Sequence, residues 1–449
     1  MEVKNKKRSN FDSTNKKKKQ SRIHPEPSIT PVAGKNTKTV AYFLLFLIFL
    51  LALLLRFAAV NKIFVGSSVI FPDFDVYYHL RLITYSVQNF PSFLWFDSYV
   101  NYPLGYNVGW MPFYDLAIAF ITLLISSGSP TTHTIETVAA IFPVALGAIT
   151  VIPIFFIGKE LHDRKLGLLS AFLFAIMPAH ITVSRLGLTD HHVAEVFLFT
   201  MVLLLLIISM KYNSLIFAVL AGIFIGGMVF TWSAAQIYIA IISMFFIIQY
   251  GVNLYRGKTS ENLILIGAVT ALTALIITVL LFLLHWIPLY QVLGIVTFFS
   301  AVILPGVLSN IMLKKRIHKL MYPVAIVFFG FLLAGSIMLF PQEFGIFDEA
   351  MKYLAGENVV GTIIETQPFA EDYFAFITTL YFSIPFGFTL FFALIGLFYY
   401  IVSELGYRFA PEKLLFLISG LVIILLTFNQ VRFSYLMSIF VAFFCSIFY

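Results

Sequence analysis

Twelve stretches of this chain stay apolar for close to twenty residues, the length an α-helix rising 1.5 Å per residue needs to cross bilayer hydrocarbon. The first runs from Val40 to Val60. The others fall near 134–158, 166–183, 192–210, 214–231, 232–250, 261–284, 286–310, 320–340, 375–401, 413–430 and 433–449. Backbone surrounded by lipid must satisfy its own hydrogen bonds, so such runs fold as helices. The expected fold is an all-α polytopic membrane protein with about 12 transmembrane helices. Composition agrees: 60% of the residues are hydrophobic and only 11% charged, against about 25% charged in soluble domains.

The formal net charge of +7 belongs to one end. Residues 1–38 hold eleven Lys/Arg against three Asp/Glu, so the remainder sums to about −1. A tail rich in Lys, Ser, Asn and Pro cannot bury a core and is expected to be disordered. The run Lys16 to Lys19 just before a span holds the amino terminus in the cytoplasm, which removes any need for a nucleic-acid partner. No small-residue cleavage site follows Val60, so the first span is read as retained rather than as a signal peptide. The single Cys445 permits no internal disulfide.

Basic loops at Lys159–Lys165, Tyr255–Lys258, Lys314–Lys319 and Arg408–Lys413 all lie in the cytoplasm if 61–133 forms one long external loop. The apolar stretch 113–126 must then remain outside, as an interfacial or re-entrant helix. A second large external loop, 341–374, is expected to be mobile. With 39–449 read as the transmembrane domain, this parity gathers acids on one side: Asp73, Asp75, Asp97 and Asp115, then Asp190 and Glu195, then Glu343 to Asp372.

Three acidic contexts stand out. Phe71-Pro-Asp73-Phe-Asp75-Val-Tyr-Tyr-His79-Leu-Arg81 packs carboxylates, an imidazole and a guanidinium directly beyond the first span. An Asp-x-Asp pair offers hard ligands to Mg²⁺ or Mn²⁺ against sugar-phosphate oxygens; its bland reading is a turn whose aspartates cap the helix carrying His79. Asp190-His191-His192 sits at the edge of a span, where ionisable groups call for a reason. Extended backbone would align Asp190 with His192, whereas helical backbone would bring Glu195 to His191 and His192. The third context, Gly361-Thr-Ile-Ile-Glu365-Thr-Gln-Pro368, lies within the second long loop, where binding segments are common.

Order and spacing make the chain similar to one family, the catalytic subunit of the asparagine-linked oligosaccharyltransferase in its archaeal AglB-type form. The residues carrying the resemblance are Asp75-Val-Tyr-Tyr-His-Leu-Arg81, Tyr102-Pro-Leu-Gly105, Ser184-Arg185 with Gly187 and Asp190-His191-His192, Thr362-Ile-Ile-Glu365, and Val431-Arg432-Phe433. They span about 40–440. The archaeal branch is favoured by Asp-His-His where the eukaryotic form carries Asp-Asn-Glu.

The resemblance implies a lipid-linked-sugar glycosyltransferase fold of 13 spans and a single-subunit enzyme in the cell membrane. It implies en bloc transfer of an oligosaccharide from a dolichyl phosphate or diphosphate to the asparagine of Asn-x-Ser/Thr acceptor proteins, on the extracytoplasmic face. It also implies that Asp75, Asp190 and His192 ligate Mn²⁺ or Mg²⁺, with Glu365 completing the site. Asp75 and Glu365 would further act as catalytic carboxylates that grip the acceptor amide. Arg432 is implied as the cation facing the lipid phosphate; His191, Arg185, His79, Arg81 and Trp232 are weaker substrate contacts. Membrane lipid surrounds the whole.

One departure is plain. The family reads the sequon through a Trp-Trp-Asp motif in a soluble carboxy-terminal domain, and the four tryptophans here, Trp95, Trp110, Trp232 and Trp286, form no such motif. The domain is expected to lie beyond this sequence, as in a piece of a longer protein; the other option is a short form with impaired acceptor recognition. A protein O-mannosyltransferase would share the first acid pair but would not call for Thr-Ile-x-Glu. A lipid or solute transporter would set its charges along the spans near the midplane, often in repeated halves.

Overall fold

The computed structural model describes residues 35–339, 385–407 and 410–448. Most of the basic tail 1–38, the loop 341–374 with Glu365, and the beginning of the stretch 375–401 lie outside the described residues. The chain divides into Met1–Val40 and Ala41–Tyr449.

The helices are α1 Lys35–Arg56, α2 Val60–Ile63, α3 Phe74–Gln88, α4 Phe113–Ile125, α5 Thr132–Ile149, α6 Val151–Leu161, α7 Arg164–Ile176, α8 Pro178–Ser184, α9 His192–Tyr212, α10 Leu215–Thr231 and α11 Gln236–Tyr255. They continue with α12 Glu261–Leu283, α13 Leu289–Lys314, α14 Met321–Leu339, α15 Thr389–Tyr407, α16 Pro411–Asn429 and, after a 3₁₀ turn at Val431–Phe433, α17 Ser434–Ile447. Among the described residues the only strands are two antiparallel pairs, β1 Phe64–Val65 with β2 Ser68–Val69 and β3 Phe96–Asp97 with β4 Tyr106–Asn107.

Among the described residues, seven helical stretches are long and apolar enough to cross a membrane, and eight if the bent pair α7–α8 counts as one. That is fewer than the twelve expected. The difference lies in α10 and the apolar parts of α14, α15 and α17, which run to 10–17 residues each. The stretch 113–126 does form a short apolar helix, α4.

Helix α9 is the core of the bundle. Buried residues recur all around it, from His192 to Met210, and 83% of its apolar window is buried against 17% for the first span. A helix apolar on every side belongs in the interior. It packs on α5, α6, α8, α10 and α16, while α10, α12, α13 and α11 follow one another around the bundle. Its far end is pinned: Lys211 Nζ donates to the Glu160 backbone carbonyl at 2.6 Å, and Tyr212 donates to Glu160 Oε2 at 2.8 Å. Small residues allow close helix contact, as where Gly396 of α15 lies against the Phe444 carbonyl of α17, leaving no room for a Cβ.

Between α7 and α8 the chain bends by 58°. Pro178 has no amide hydrogen to donate, and Ala179 N turns to Pro385 O at 2.8 Å instead of continuing the helix. The freed Ala175 carbonyl accepts from Arg56 Nη1 at 3.2 Å. Arg56, 1% exposed, also donates to Ala52 O at 2.9 Å, to Ser184 Oγ at 2.8 Å and to His180 Nδ1 at 2.8 Å. A guanidinium cannot accept, so His180 carries its proton on Nε2. Arg56 O in turn accepts from Leu186 N at 3.0 Å, which ties the end of α1 to the turn that leads into α9.

A second, smaller core joins α3, α4 and α5 to the start of α9 through Val76, Ile83, Tyr114, Ile118, Ala139 and Val193. It carries the candidate site.

Candidate functional site

The Asp-x-Asp pair splits its labour. Asp73 is the N-cap of α3, its Oδ1 accepting from Asp75 N at 3.3 Å, as the bland reading of the motif expects. Asp75 stands exposed in the first turn, four residues before His79 and so on the same side of the helix. His79 points inward at 2% exposure.

There it meets Asp115, the acid in the first turn of α4, with Nδ1 and Oδ1 2.7 Å apart. Its other nitrogen, Nε2, lies 3.4 Å from Asp190 Oδ1. The two atoms do not meet hydrogen-bond geometry with each other, and Asp190 Oδ1 also lies in ion-pair reach of His191. The Trp110 ring leans over the imidazole, with centroids 4.5 Å apart, and shuts this side from solvent.

Asp190 is delivered by a tight turn. Gly187, at φ +81, donates its amide to Ala140 O at 3.0 Å, and a Cβ there would strike Ile63. Helix α9 then begins at His192, with His191 as its N-cap residue. Both geometries weighed from the sequence hold at once. Asp190 Oδ1 lies 2.7 Å from His191 Nδ1 and Asp190 Oδ2 lies 3.4 Å from His192 Nε2, while Glu195 Oε1 is 2.8 Å from His192 Nδ1 and 3.5 Å from His191 Nε2. Tyr238 of α11 donates to Glu195 Oε2 at 2.5 Å, and Tyr435 of α17 lies 3.3 Å from the same oxygen.

The electrostatics follow from this crowding. Burial disfavours the charged form of Asp190, but His192, His191 and His79 outweigh it and hold the carboxyl well below the usual range. Burial likewise opposes the His79 imidazolium, yet Asp115 and Asp190 prevail and hold its pKa up to about 10.

Two trios place ligand atoms close enough to share a cation: His79, Asp190 and His191, and His191, His192 and Glu195. The mixture of imidazole and carboxylate suits a transition-metal ion better than Mg²⁺, which prefers oxygen alone. The facing His79 Nε2 and Asp190 Oδ1, 3.4 Å apart, fit such an ion.

The remaining sequence candidates fall in three places. Arg432, half-buried in the 3₁₀ turn, holds its Cζ 5.3 Å over the ring of Trp232, and its charge acts on Glu195. These two therefore border the cluster. Arg81 points to the opposite side of α3 from His79 and forks onto Asp97, Nε to Oδ2 at 2.6 Å and Nη2 to Oδ1 at 2.9 Å. Arg185 is exposed at the end of α8, and Asp75 belongs to neither trio. Glu365 is outside the described residues.

Asp115, Tyr238 and Tyr435 were not singled out from the sequence. Asp115 left a signal, an acid opening an otherwise apolar helix; the tyrosines left none, because their role depends on which helices pack together.

The sequence matches the family described as "Oligosaccharyl transferase STT3, N-terminal" over residues 43–447. It is 34% identical over 239 residues to dolichyl-phosphooligosaccharide-protein glycotransferase 2 of Archaeoglobus fulgidus, a match covering 53% of this chain and 37% of that protein. The fold resembles that of the archaeal oligosaccharyltransferase AglB from A. fulgidus in complex with an inhibitory peptide and a dolichol-phosphate, with a TM-score of 0.81 at 22% identity, over 92% of this chain and 50% of that one. An A. fulgidus oligosaccharyltransferase in complex with Zn and sulfate is similar at a TM-score of 0.71 and 21% identity, over 90% of this chain and 48% of that one. The chain thus spans half or less of the length of these relatives.

Proposed function

The chain belongs to the oligosaccharyl transferase STT3 family, and from that premise we propose that it is the membrane-embedded catalytic part of an archaeal-type oligosaccharyltransferase. It transfers an oligosaccharide en bloc from a dolichyl-phosphate-linked donor to the asparagine of Asn-x-Ser/Thr acceptors. The observation that carries this reading is the convergence of His79, Asp115, Asp190, His191, His192 and Glu195 at the start of the buried helix α9.

Asp190 and His192 hold the divalent ion together with Asp75, which reaches from the first turn of α3, and Glu365 completes the set; His79 and His191 stand close enough to share in it. Support comes from the two metal-capable trios and from the Zn and sulfate with which one structural relative is in complex. When bound, the ion offsets negative charge that develops on the departing lipid phosphate. Mn²⁺ suits the imidazoles better than Mg²⁺.

Around it, each side chain has a task. Asp75 and Glu365 accept the N–H bonds of the acceptor amide, orienting a nitrogen whose lone pair is otherwise delocalised into its carbonyl. Arg432, steadied over Trp232, faces the phosphate as a fixed cation. Tyr238 and Tyr435 hold Glu195, which in turn orients His192 through Nδ1 and leaves Nε2 for the ion.

The arrangement works in a cell membrane crossed twelve times, with residues 1–38 in the cytoplasm and 39–449 forming the catalytic domain. The loops 61–133 and 341–374 face outside. The chain acts as a single subunit. The test is to incubate the full-length protein with lipid-linked donor and sequon peptide, with and without a chelator. Transfer should cease with chelator and return with Mn²⁺; transfer indifferent to chelation, or undiminished by Asp190→Ala, would sink the assignment.

A further inference from the structure

Tyr102-Pro-Leu-Gly105 finds no place in the chemistry above, and neither does the Arg81–Asp97 fork. Both help to build one cavity. It measures about 540 Å³, within the range of ligand pockets, and lies between α3 and the β3–β4 hairpin. At 100° per residue, Tyr77, Arg81, Thr84 or Tyr85, and Gln88 form a stripe along α3, and that stripe lines the cavity. His79, two residues from Arg81, points to the opposite side.

We propose that this cavity is a saccharide subsite for the donor glycan, holding sugar units remote from the bond that breaks. The proposal rests on the transferase reading above and adds to it where the glycan lies.

The lining decides the class of ligand. A pyranose ring presents apolar C–H faces and a rim of hydroxyls, so it asks for flat aromatic surface with neutral donors and acceptors beside it. Tyr77, Tyr85, Phe96 and Tyr99 supply the surface. Gln88 and Ser98 supply uncharged groups able to donate and accept, and Thr84, whose hydroxyl donates to Leu80 O at 2.7 Å, supplies an acceptor. A phosphate is disfavoured, because the cation present, Arg81, already spends its fork on Asp97.

The walls are built in advance. Asp97 is buried at 1% exposure and accepts from Tyr99 N at 3.0 Å, and the Tyr99 ring lies 4.9 Å from Arg81 Cζ. Phe96 rests on Gly105, where any side chain would displace its ring. Leu82, Phe93 and Val108 form a small dry core beneath. Fixed aromatic and hydrogen-bonding walls of this kind lose little entropy on binding.

Since the cavity and the acid–imidazole cluster lie back to back on one helix about 10–12 Å across, only an extended chain of sugars can reach both. A donor carrying a single sugar cannot. This sets the experiment, made on the full-length protein with two lipid-linked donors, one bearing the native glycan and one bearing a single sugar. Tyr85→Ala with Gln88→Ala should raise KM for the native donor about tenfold, equivalent to about 1.4 kcal/mol, at unchanged kcat, and leave single-sugar transfer within twofold. An equal rise for both donors, no rise for either, or a shift confined to the acceptor peptide would overturn the subsite.

Binding can also be read without turnover. Glycan released from the native donor should give saturation-transfer NMR signals with the unaltered protein, and the double variant should weaken them. Unchanged signals would overturn the subsite whether or not transfer occurs, whereas a protein that binds glycan and transfers none would count against the transferase reading alone.

Discussion

The chain buries two polar clusters, and they are opposite in kind. The cluster around Asp190 brings three carboxylates and three imidazoles together, with His79 Nε2 and Asp190 Oδ1 facing each other 3.4 Å apart. The cluster around Arg56 has one guanidinium whose donors are taken by two carbonyls, a hydroxyl and an imidazole nitrogen, with no carboxylate in salt-bridge reach among the described residues. A buried cation normally demands a carboxylate; here the carbonyl released by the α7–α8 bend takes that place. The first cluster gathers carboxylates and imidazoles that could take a ligand, whereas the second spends its charge on groups of the chain itself and leaves the His180 Nε2 donor over. One therefore belongs to chemistry and the other to architecture, and each side of that division can be broken.

The largest effect falls on the first cluster. Asp190→Asn should lower transfer by about 10²–10³-fold, measured on the folded fraction by mass spectrometry of a sequon peptide. A rate within tenfold of the parent would place the ion elsewhere. For the second cluster the pattern should invert. Arg56→Met strands the His180, Ser184 and Ala175 acceptors and should cost about 3 kcal/mol of stability, read as a lowered thermal midpoint, while the folded fraction transfers within about threefold of normal. Collapse of the rate at an unaltered midpoint would mean that Arg56 takes part in the reaction.

Smaller effects sharpen the division. Tyr238→Phe removes the hydroxyl that holds Glu195 and should weaken Mn²⁺ binding by about 10–100-fold, followed by electron paramagnetic resonance; unaltered affinity would make the tyrosine a packing residue. Least of all, the ion-free protein should respond to alkali through His79. Its folded pKa, about 10, is raised above the ordinary value near 6.5. The stability it contributes is thus complete below about pH 6.5 and is lost as pH rises toward 10. His79→Gln should flatten the decline of the thermal midpoint across that window in chelator, and an unchanged slope would assign the decline to other groups.

Much of the fold was legible because apolar length and periodicity are local properties. The ranges 192–210, 214–231 and 261–284 differ from α9, α10 and α12 by only a residue or two at either end. The bend at Met177–Pro178 went unread inside the stretch 166–183, although Pro178 marks the place. At the site, Asp190 and His192 were legible from their position at a span edge and from family spacing. The groups that brace the cluster were not, since Asp115 reaches His79 from α4, and Tyr238 and Tyr435 reach Glu195 from α11 and α17, only through packing over long sequence separations. Arg81 shows the reverse failure: its place in a motif with His79 implied a shared role, and helical geometry sends the two side chains apart.

Helix α9, walled in on all sides and pinned at its far end by Glu160, has little freedom left to lose. An ion captured through His192 would therefore meet almost no ordering penalty on this side of the site. Any conformational toll of assembling the full coordination sphere falls on ligands supplied from other segments, so substitutions that stiffen those segments, rather than changes in α9, are where affinity can still be gained.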